Sequence, residues 1–297
     1  LDATKINYAA WRCCHRAGKA KLTLVGQLKQ LYSPRCNHAQ ERHREIKLTY
    51  QDDLTKIIEK LIEKIYNGES VAIDQELYEL TAKELFGAVE QGFGMSMEIA
   101  EGANLEMLGK LRENVYVFSG FKNYQMLREA TDLLIDENGA RRSFSQFRDM
   151  VLKLNQEYNV NFLRAEYNHA TASSRMASKW VQILSQAETL PLLEYITAGD
   201  SRVRESHKTM DRVILPVTHP FWDKYMPPND WGCRCTVRQL AEGDRTKPQD
   251  IPEPQLKEMF LSNPGKDGVV FPSTHPYYNI VNPEDADNNF GLNIPNA

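Results

Sequence analysis

The sequence predicts an α+β fold that is mostly helical. A helical N-terminal region leads into a long helix packed on a small antiparallel sheet, and an extended C-terminal tail follows. Three observations predict this. Apolar residues between Asp52 and Leu154 recur at three- and four-residue spacing, the helical period. The same alternation of four and three runs unbroken over residues 161 to about 186. After Pro191 the pattern changes to short apolar runs separated by turn residues and prolines.

Residues 1–50 read as one or two short helices broken at Ser33-Pro34. They hold ten Lys/Arg and three acidic residues, a net +7 in a chain of net charge −4, which leaves −11 on the remainder. A basic arm on an acidic body suits contact with DNA or an acidic partner. A solvated pair of surface helices accounts for the same charges, and the sequence leaves both open. Leu54, Ile57, Ile58, Leu61, Ile62 and Ile65 then form an amphipathic stripe that Asn67-Gly68 ends. Residues 73 to about 89 predict a second helix on Leu77, Leu80, Leu85 and Val89. Gly109 weakens the case for a helix over 105–117, and residues 121 to about 134 read as another helix, ended by Asn138-Gly139. Residues 143–154 carry Phe144, Phe147, Met150 and Val151 at helical spacing.

The long helix places Leu163, Tyr167, Ala170, Ser174, Ala177, Val181 and Leu184 on one face. Its small residues at 170, 174 and 177 let another backbone come close. Arg164, Glu166 and His169 fall off that stripe, as a solvated face or as members of a buried ion pair. Strands are expected over 192–197, 213–217 and 236–240, with a turn at Gly199-Asp200. Residues 241–297 are rich in Pro, Asn, Asp and Gly, with one short helix expected over 254–261. Phe260, Phe271, Tyr277, Tyr278 and Phe290 are their aromatic anchors, ordered by the chain itself or by a neighbour; disorder in isolation is the rival reading.

No stretch has the apolar length of a membrane span, and residues 1–10 lack the apolar core of a signal peptide. The five cysteines (Cys13, Cys14, Cys36, Cys233 and Cys235) do not form a secreted disulfide framework, so a reducing cytoplasm is the simpler setting.

Chemistry-bearing residues concentrate between 199 and 235: Asp200, Arg202, Arg204, His207, Asp211, His219, Trp222, Trp231, Cys233 and Cys235. An extended Cys233-Arg234-Cys235 puts both sulfurs on one side. With His207 and His219 they make a chemically reasonable zinc set, although C-x-C is tighter than the usual zinc spacing. Packed core thiols are the alternative. Arg204, His207 and Asp211 could also cleave a phosphodiester, with His as general base and Arg steadying the developing charge. No zinc-protease, nucleophile-elbow or phosphate-loop motif is present, so the expectation is a protein that is not an enzyme.

The run Gly199-Asp200-Ser201-Arg202-Val203-Arg204-Glu205-Ser206-His207, with Asp211, resembles the central signature of the phage Mu F-like head morphogenesis family, which includes the SPP1-type minor head proteins. Pro220-Phe221-Trp222 and Pro227-Pro228-Asn229-Asp230-Trp231-Gly232-Cys233-Arg234-Cys235 resemble its closing signature. Arg164-Ala165-Glu166-Tyr167-Asn168 is similar to the start of the preceding helix. The flanks resemble Bacteroidetes phage and prophage members more loosely. The family usually has Gly where Arg212 follows Asp211, so a different local turn is expected if that Gly supplies a positive φ.

Charge, periodicity and composition give a basic N-terminal arm (1–50), a helical region (51–155) and an extended tail (241–297), and the resemblance marks a Mu F-like domain (156–240). It implies a portal-associated minor capsid protein that acts in procapsid assembly and, in some relatives, accompanies DNA in packaging or ejection. Expected partners are portal, capsid or scaffold proteins, with possible nonspecific DNA contact and no membrane. The expected location is the virion interior or portal vertex, after assembly in the host cytoplasm.

Overall fold

The computed structural model describes residues 24–32, 51–280 and 283–295. Contacts divide the chain into two units, Leu1–Ser33 and Pro34–Ala297. The first contributes one described helix, α1 (Leu24–Tyr32). The rest of the basic arm, with Cys13, Cys14 and Cys36, lies outside the described residues.

In the second unit the helices are α2 (Gln51–Tyr66), α3 (Gln75–Phe93), α4 (Gly102–Asp132), α5 (Phe144–Asn155) and α6 (Leu163–Ser185). Their ends follow from local chemistry. The Asp74 carboxylate accepts the Leu77 N–H to start α3, and Gly94 ends that helix in the left-handed region. Ser143 and Gln146 form a reciprocal capping box at the start of α5. A π-helical stretch, Gln156–Phe162, carries α5 directly into α6.

The expectation of two helices across 105–134 is corrected: α4 is one helix of 31 residues, with Gly109 inside it. Its length hid in the pattern because it is covered on most sides. Leu108, Leu111, Val115 and Phe118 are buried, and so are Lys122, Asn123 and Gln125. A helix surrounded by protein shows no single apolar stripe.

The long helix is present, but its buried face is wider than its apolar stripe. Glu166, His169, Ser173, Met176, Trp180 and Ile183 are buried, whereas Leu184 is 56% exposed. The reason is that α6 is packed from several sides. Gly92 of α3 meets it so closely that a Cβ there would lie 2.1 Å from the Thr171 carbonyl oxygen and 2.2 Å from Ser174 Oγ. On another side lies the sheet.

That sheet has three antiparallel strands in the order β2 (Ile214–Pro216), β1 (Leu192–Ile196), β3 (Thr236–Leu240). Leu193 and Tyr195 of the central strand face Met176, Trp180 and Ile183, together with Leu215, Val237 and Trp222. Glu194 points to the opposite face, directly across from Arg238. Short helices α7 (Glu205–Lys208) and α8 (Phe221–Tyr225) lie in the connections between strands.

The tail is ordered by its own side chains. Phe271 stacks on Phe118 at 3.8 Å, Tyr277 on Tyr158 at 5.6 Å and Phe290 on Tyr124 at 5.1 Å. Polar side chains of α4 serve the tail backbone in place of a neighbouring strand. Asn114 Oδ1 accepts the N–H groups of Val270 and Phe271, and its Nδ2 donates to the Phe271 carbonyl. Gln125 Nε2 donates to the carbonyls of Tyr277 and Asn279. The helix expected over 254–261 shrinks to one 3-10 turn, Glu258–Phe260, because Pro252 and Pro254 hold the preceding backbone extended. Helix α9 (Pro264–Asp267) seats Gly265 against Trp180. Among the described residues no helix is long and apolar enough to cross a membrane.

The α3–α6 crossing yields a paired test by equilibrium urea denaturation. Gly92→Ala must push the Thr171 backbone away and is expected to cost about 1–3 kcal/mol or more. Gly87, in the same helix, has open space at its Cβ position, so Gly87→Ala should stabilise by about 0.5–1 kcal/mol. Equal effects would contradict the close approach.

Candidate functional site

The site is built by two loops leaving the sheet. The first runs from the end of β1 to β2. Its base is closed by Asp211, whose Oδ1 accepts from the Thr197 N–H at 2.7 Å and the Thr197 hydroxyl at 2.9 Å. Its tip is the Gly199-Asp200 turn, where Gly199 takes φ 69°. The Asp200 carboxylate accepts the Arg202 N–H and lies against the Arg202 guanidinium. Helix α7 then carries His207 inward, where it is 2% exposed.

The second loop joins α8 to β3. Asn229 Oδ1 accepts the Tyr195 hydroxyl at 2.7 Å, which anchors the loop to the central strand. Asp230 lies between two cations, Arg204 Nε at 3.1 Å and Lys257 Nζ at 3.3 Å. The Arg204 contact is an ion pair and not an aligned hydrogen bond; the aligned bond from Arg204 is Nη2 to the Trp231 carbonyl at 2.8 Å. Trp231 itself packs edge-on to His169 and Phe260.

Strand-like alternation at 233–235 divides the side chains. Arg234 turns outward and grips Asp200 with two bonds, 2.8 Å and 2.6 Å, so the second loop clasps the tip of the first. The Arg234 guanidinium, and then Arg202, hold the Asp200 carboxyl far below the usual carboxylate range. Cys233 and Cys235 turn the other way, and each Sγ lies 3.7 Å from His207 Nδ1. The ligand atoms of all three residues fall within 4.8 Å of one another. A hydrogen bond from Cys235, with His207 adding to it against the effect of burial, holds the Cys233 thiol well below its ordinary range. Its neighbour and burial push Cys235 up. This cluster could coordinate a metal such as zinc.

His219 does not join the cluster. Its Nδ1 accepts the Phe221 N–H at 3.1 Å, so it serves the start of α8. Arg204, His207 and Asp211 likewise do not converge. Arg204 faces Asp230 and Trp231, His207 faces the two thiols, and Asp211 faces Thr197. The cleft bordering Arg204 is lined by neither His207 nor Asp211. Arg164 is partly buried on α6 and supplies no ligand.

Glu166, expected either on a solvated face or in a buried pair, is fully buried and paired with Lys122 of α4. The pairing partners were not visible in sequence. Lys122, Glu194, Arg238 and Lys257 lie outside the signature runs, and only the fold brings them to it. Glu194 is 4% exposed and sits between Arg212 and Arg238. Burial alone would raise its pKa, but the hydrogen bonds from both arginines overcome that and lower it.

The turn after Asp211 is not rebuilt to suit a larger residue. Arg212 itself takes φ 66°, the left-handed conformation that favours glycine. Its N–H donates to the Tyr195 carbonyl at 2.9 Å, and its guanidinium donates to Glu194 at 2.8 Å.

Residues 137–238 match the family described as "Phage Mu protein F like protein". That span holds α5, α6, the two loops and nearly all of the sheet. The chain is 38% identical over 66 residues to the "Mu-like prophage FluMu F protein" of Haemophilus influenzae, which covers 22% of this chain and 16% of that protein. It is 32% identical over 75 residues to the "Putative capsid assembly protein F" of Escherichia phage Mu, covering 25% and 17%. The chain thus spans about a sixth of the length of these relatives, with which the shared segment is homologous. No solved structure matches.

Two measurements check this geometry. Arg212→Ala loses the Glu194 pair and keeps the strained backbone, whereas Arg212→Gly loses the pair but relieves the strain. The glycine variant should therefore be more stable than the alanine variant by about 1 kcal/mol in denaturant unfolding. The second concerns His169, which burial depresses from 6.5 to about 4, against the raising effects of the Val270 carbonyl and Asp230. Its folded pKa lies below its unfolded one, so the unfolded chain binds the extra proton. Stability is complete above pH 6.5 and falls by up to roughly 3 kcal/mol as pH drops to about 4. His169→Gln should flatten that slope; an unchanged slope would mean that the imidazole is not buried as neutral.

Proposed function

We propose that this chain, homologous through residues 137–238 to the Mu F proteins, is a minor capsid protein that acts at the portal during procapsid assembly. One observation supports this most. The charged residues of the signature are consumed inside the chain: Asp200 with Arg202 and Arg234, Arg204 with Asp230, Asp211 with Thr197. A signature spent on internal clasps makes a rigid platform for presenting a surface. It does not make an assembled acid–base pair, so catalysis is no part of this reading.

On this proposal the partners are portal, capsid or scaffold proteins, and the protein is found in the host cytoplasm during assembly and then in the virion. Residues 1–50 form a basic arm toward packaged DNA or an acidic partner, 51–155 a helical support, 156–240 the shared domain and 241–297 a strap over that support. A part in packaging or ejection belongs to the same proposal, as does the looser likeness of the flanks to Bacteroidetes phage and prophage members.

The test is to purify heads assembled with and without this gene and to analyse them by quantitative mass spectrometry. The chain should be present in heads assembled with the gene, and its loss should reduce correctly assembled, portal-bearing heads. Heads that lack the chain yet form normally would overturn the proposal.

A further inference from the structure

We propose that His207, Cys233 and Cys235 bind one zinc ion per chain, with the fourth coordination position open to an exogenous ligand. The ion would fasten α7 to the start of β3. Spacing carries the argument. Zn–S bonds of about 2.3 Å and Zn–N bonds of about 2.0–2.1 Å, at a tetrahedral angle, put nitrogen and sulfur about 3.6 Å apart. His207 Nδ1 lies 3.7 Å from Cys233 Sγ and 3.7 Å from Cys235 Sγ. A single imidazole nitrogen can share one hydrogen with only one thiol at a time. Equal distances to two thiols are the arrangement of ligands around a common point.

The chemistry of the donor set agrees. Two thiolates and one neutral imidazole are soft and borderline donors suited to zinc. Coordination through Nδ1 would place the ring proton on Nε2, which has no hydrogen-bond partner among the described residues. The frame is stiff before any ion arrives. Asp211 closes one loop at its base, Arg234 clasps its tip to the other loop, and Asn229 anchors the second loop to Tyr195.

The open position follows from the ligand count and from exposure. Among the described residues only these three converge, and His219 is engaged with Phe221. His207 is buried, whereas Cys233 and Cys235 are only partly buried as residues, so access to the remaining position is from the cysteine side.

This inference does not rest on the assembly proposal, and the experiment reads metal alone. The full chain is stripped with a chelator under reducing conditions and titrated with Co2+ in place of zinc. We expect one equivalent to give the thiolate charge-transfer band and the intense visible bands of a tetrahedral site, and stoichiometric Zn2+ to displace them. Cys233→Ser and Cys235→Ser should each lose the spectrum, and His219→Ala should keep it. His207→Cys, which preserves a ligand, should restore a tetrahedral spectrum with a stronger thiolate band, which separates ligation from folding. Added imidazole should shift the visible bands by entering the fourth position. No tetrahedral spectrum in reduced wild-type protein, or one that survives Cys233→Ser, overturns the site. Absence of any shift with imidazole overturns the open position.

Discussion

Lys122 and Glu166 pair in the interior, 2% and 0% exposed, between the two longest helices. Burying either charge alone would cost several kcal/mol, so each fixes the place of the other. Burial pulls the Lys122 pKa down and Glu166 pushes it back up. The pair sets the register of α4 against α6, because sliding either helix by one turn would leave two unpaired charges in a dry interior. Its reach extends to the tail. Lys122 stands 5.8 Å from the centre of the Tyr277 ring, and burial together with the Lys122 charge keeps His275 neutral. A pair of apolar residues could match its stability, but not its specificity of position.

With that register set, α4 presents Asn114, Gln125 and Phe118 in a line that suits the tail. A chain rich in Pro, Asn and Gly forms only short helical turns and, among the described residues, joins no sheet, yet its backbone groups still need partners once they are covered. Amide side chains of α4 supply those partners, and stacked rings supply the apolar area that offsets the entropy of ordering the segment. The aromatic anchors thus find their neighbours within the same chain.

The sheet region applies the same logic with charges nearer the surface. Glu194 is buried at the centre of the strand layer and held by two arginines, and Arg212 reaches it only by adopting a backbone conformation that costs about 1–2 kcal/mol. Asp200 and Asp230 each gather two cations, and those four contacts lock the loops that bring His207 to the cysteines. Only rigid loops can hold three ligand atoms at the spacing of one ion.

The sequence by itself marked most of the helical and extended segments among the described residues, because periodicity and turn residues are local properties, though it overstated the helix at 254–261. It marked the α+β class, the long helix with its close-packing small residues, the three short strands and the side-by-side placement of Cys233 and Cys235. Tertiary structure decided what local signals cannot carry. It merged two helical segments into α4, since a helix covered on most sides has no polar face to mark its continuity. It chose burial for Glu166, since that choice rested on Lys122, 44 positions away, and for His169, which is covered by Val270, Trp231 and Phe260. It turned His219 toward Phe221 and away from the thiols. Spacing along the chain limits which residues can meet, but where each side chain turns depends on partners that only the folded chain brings near.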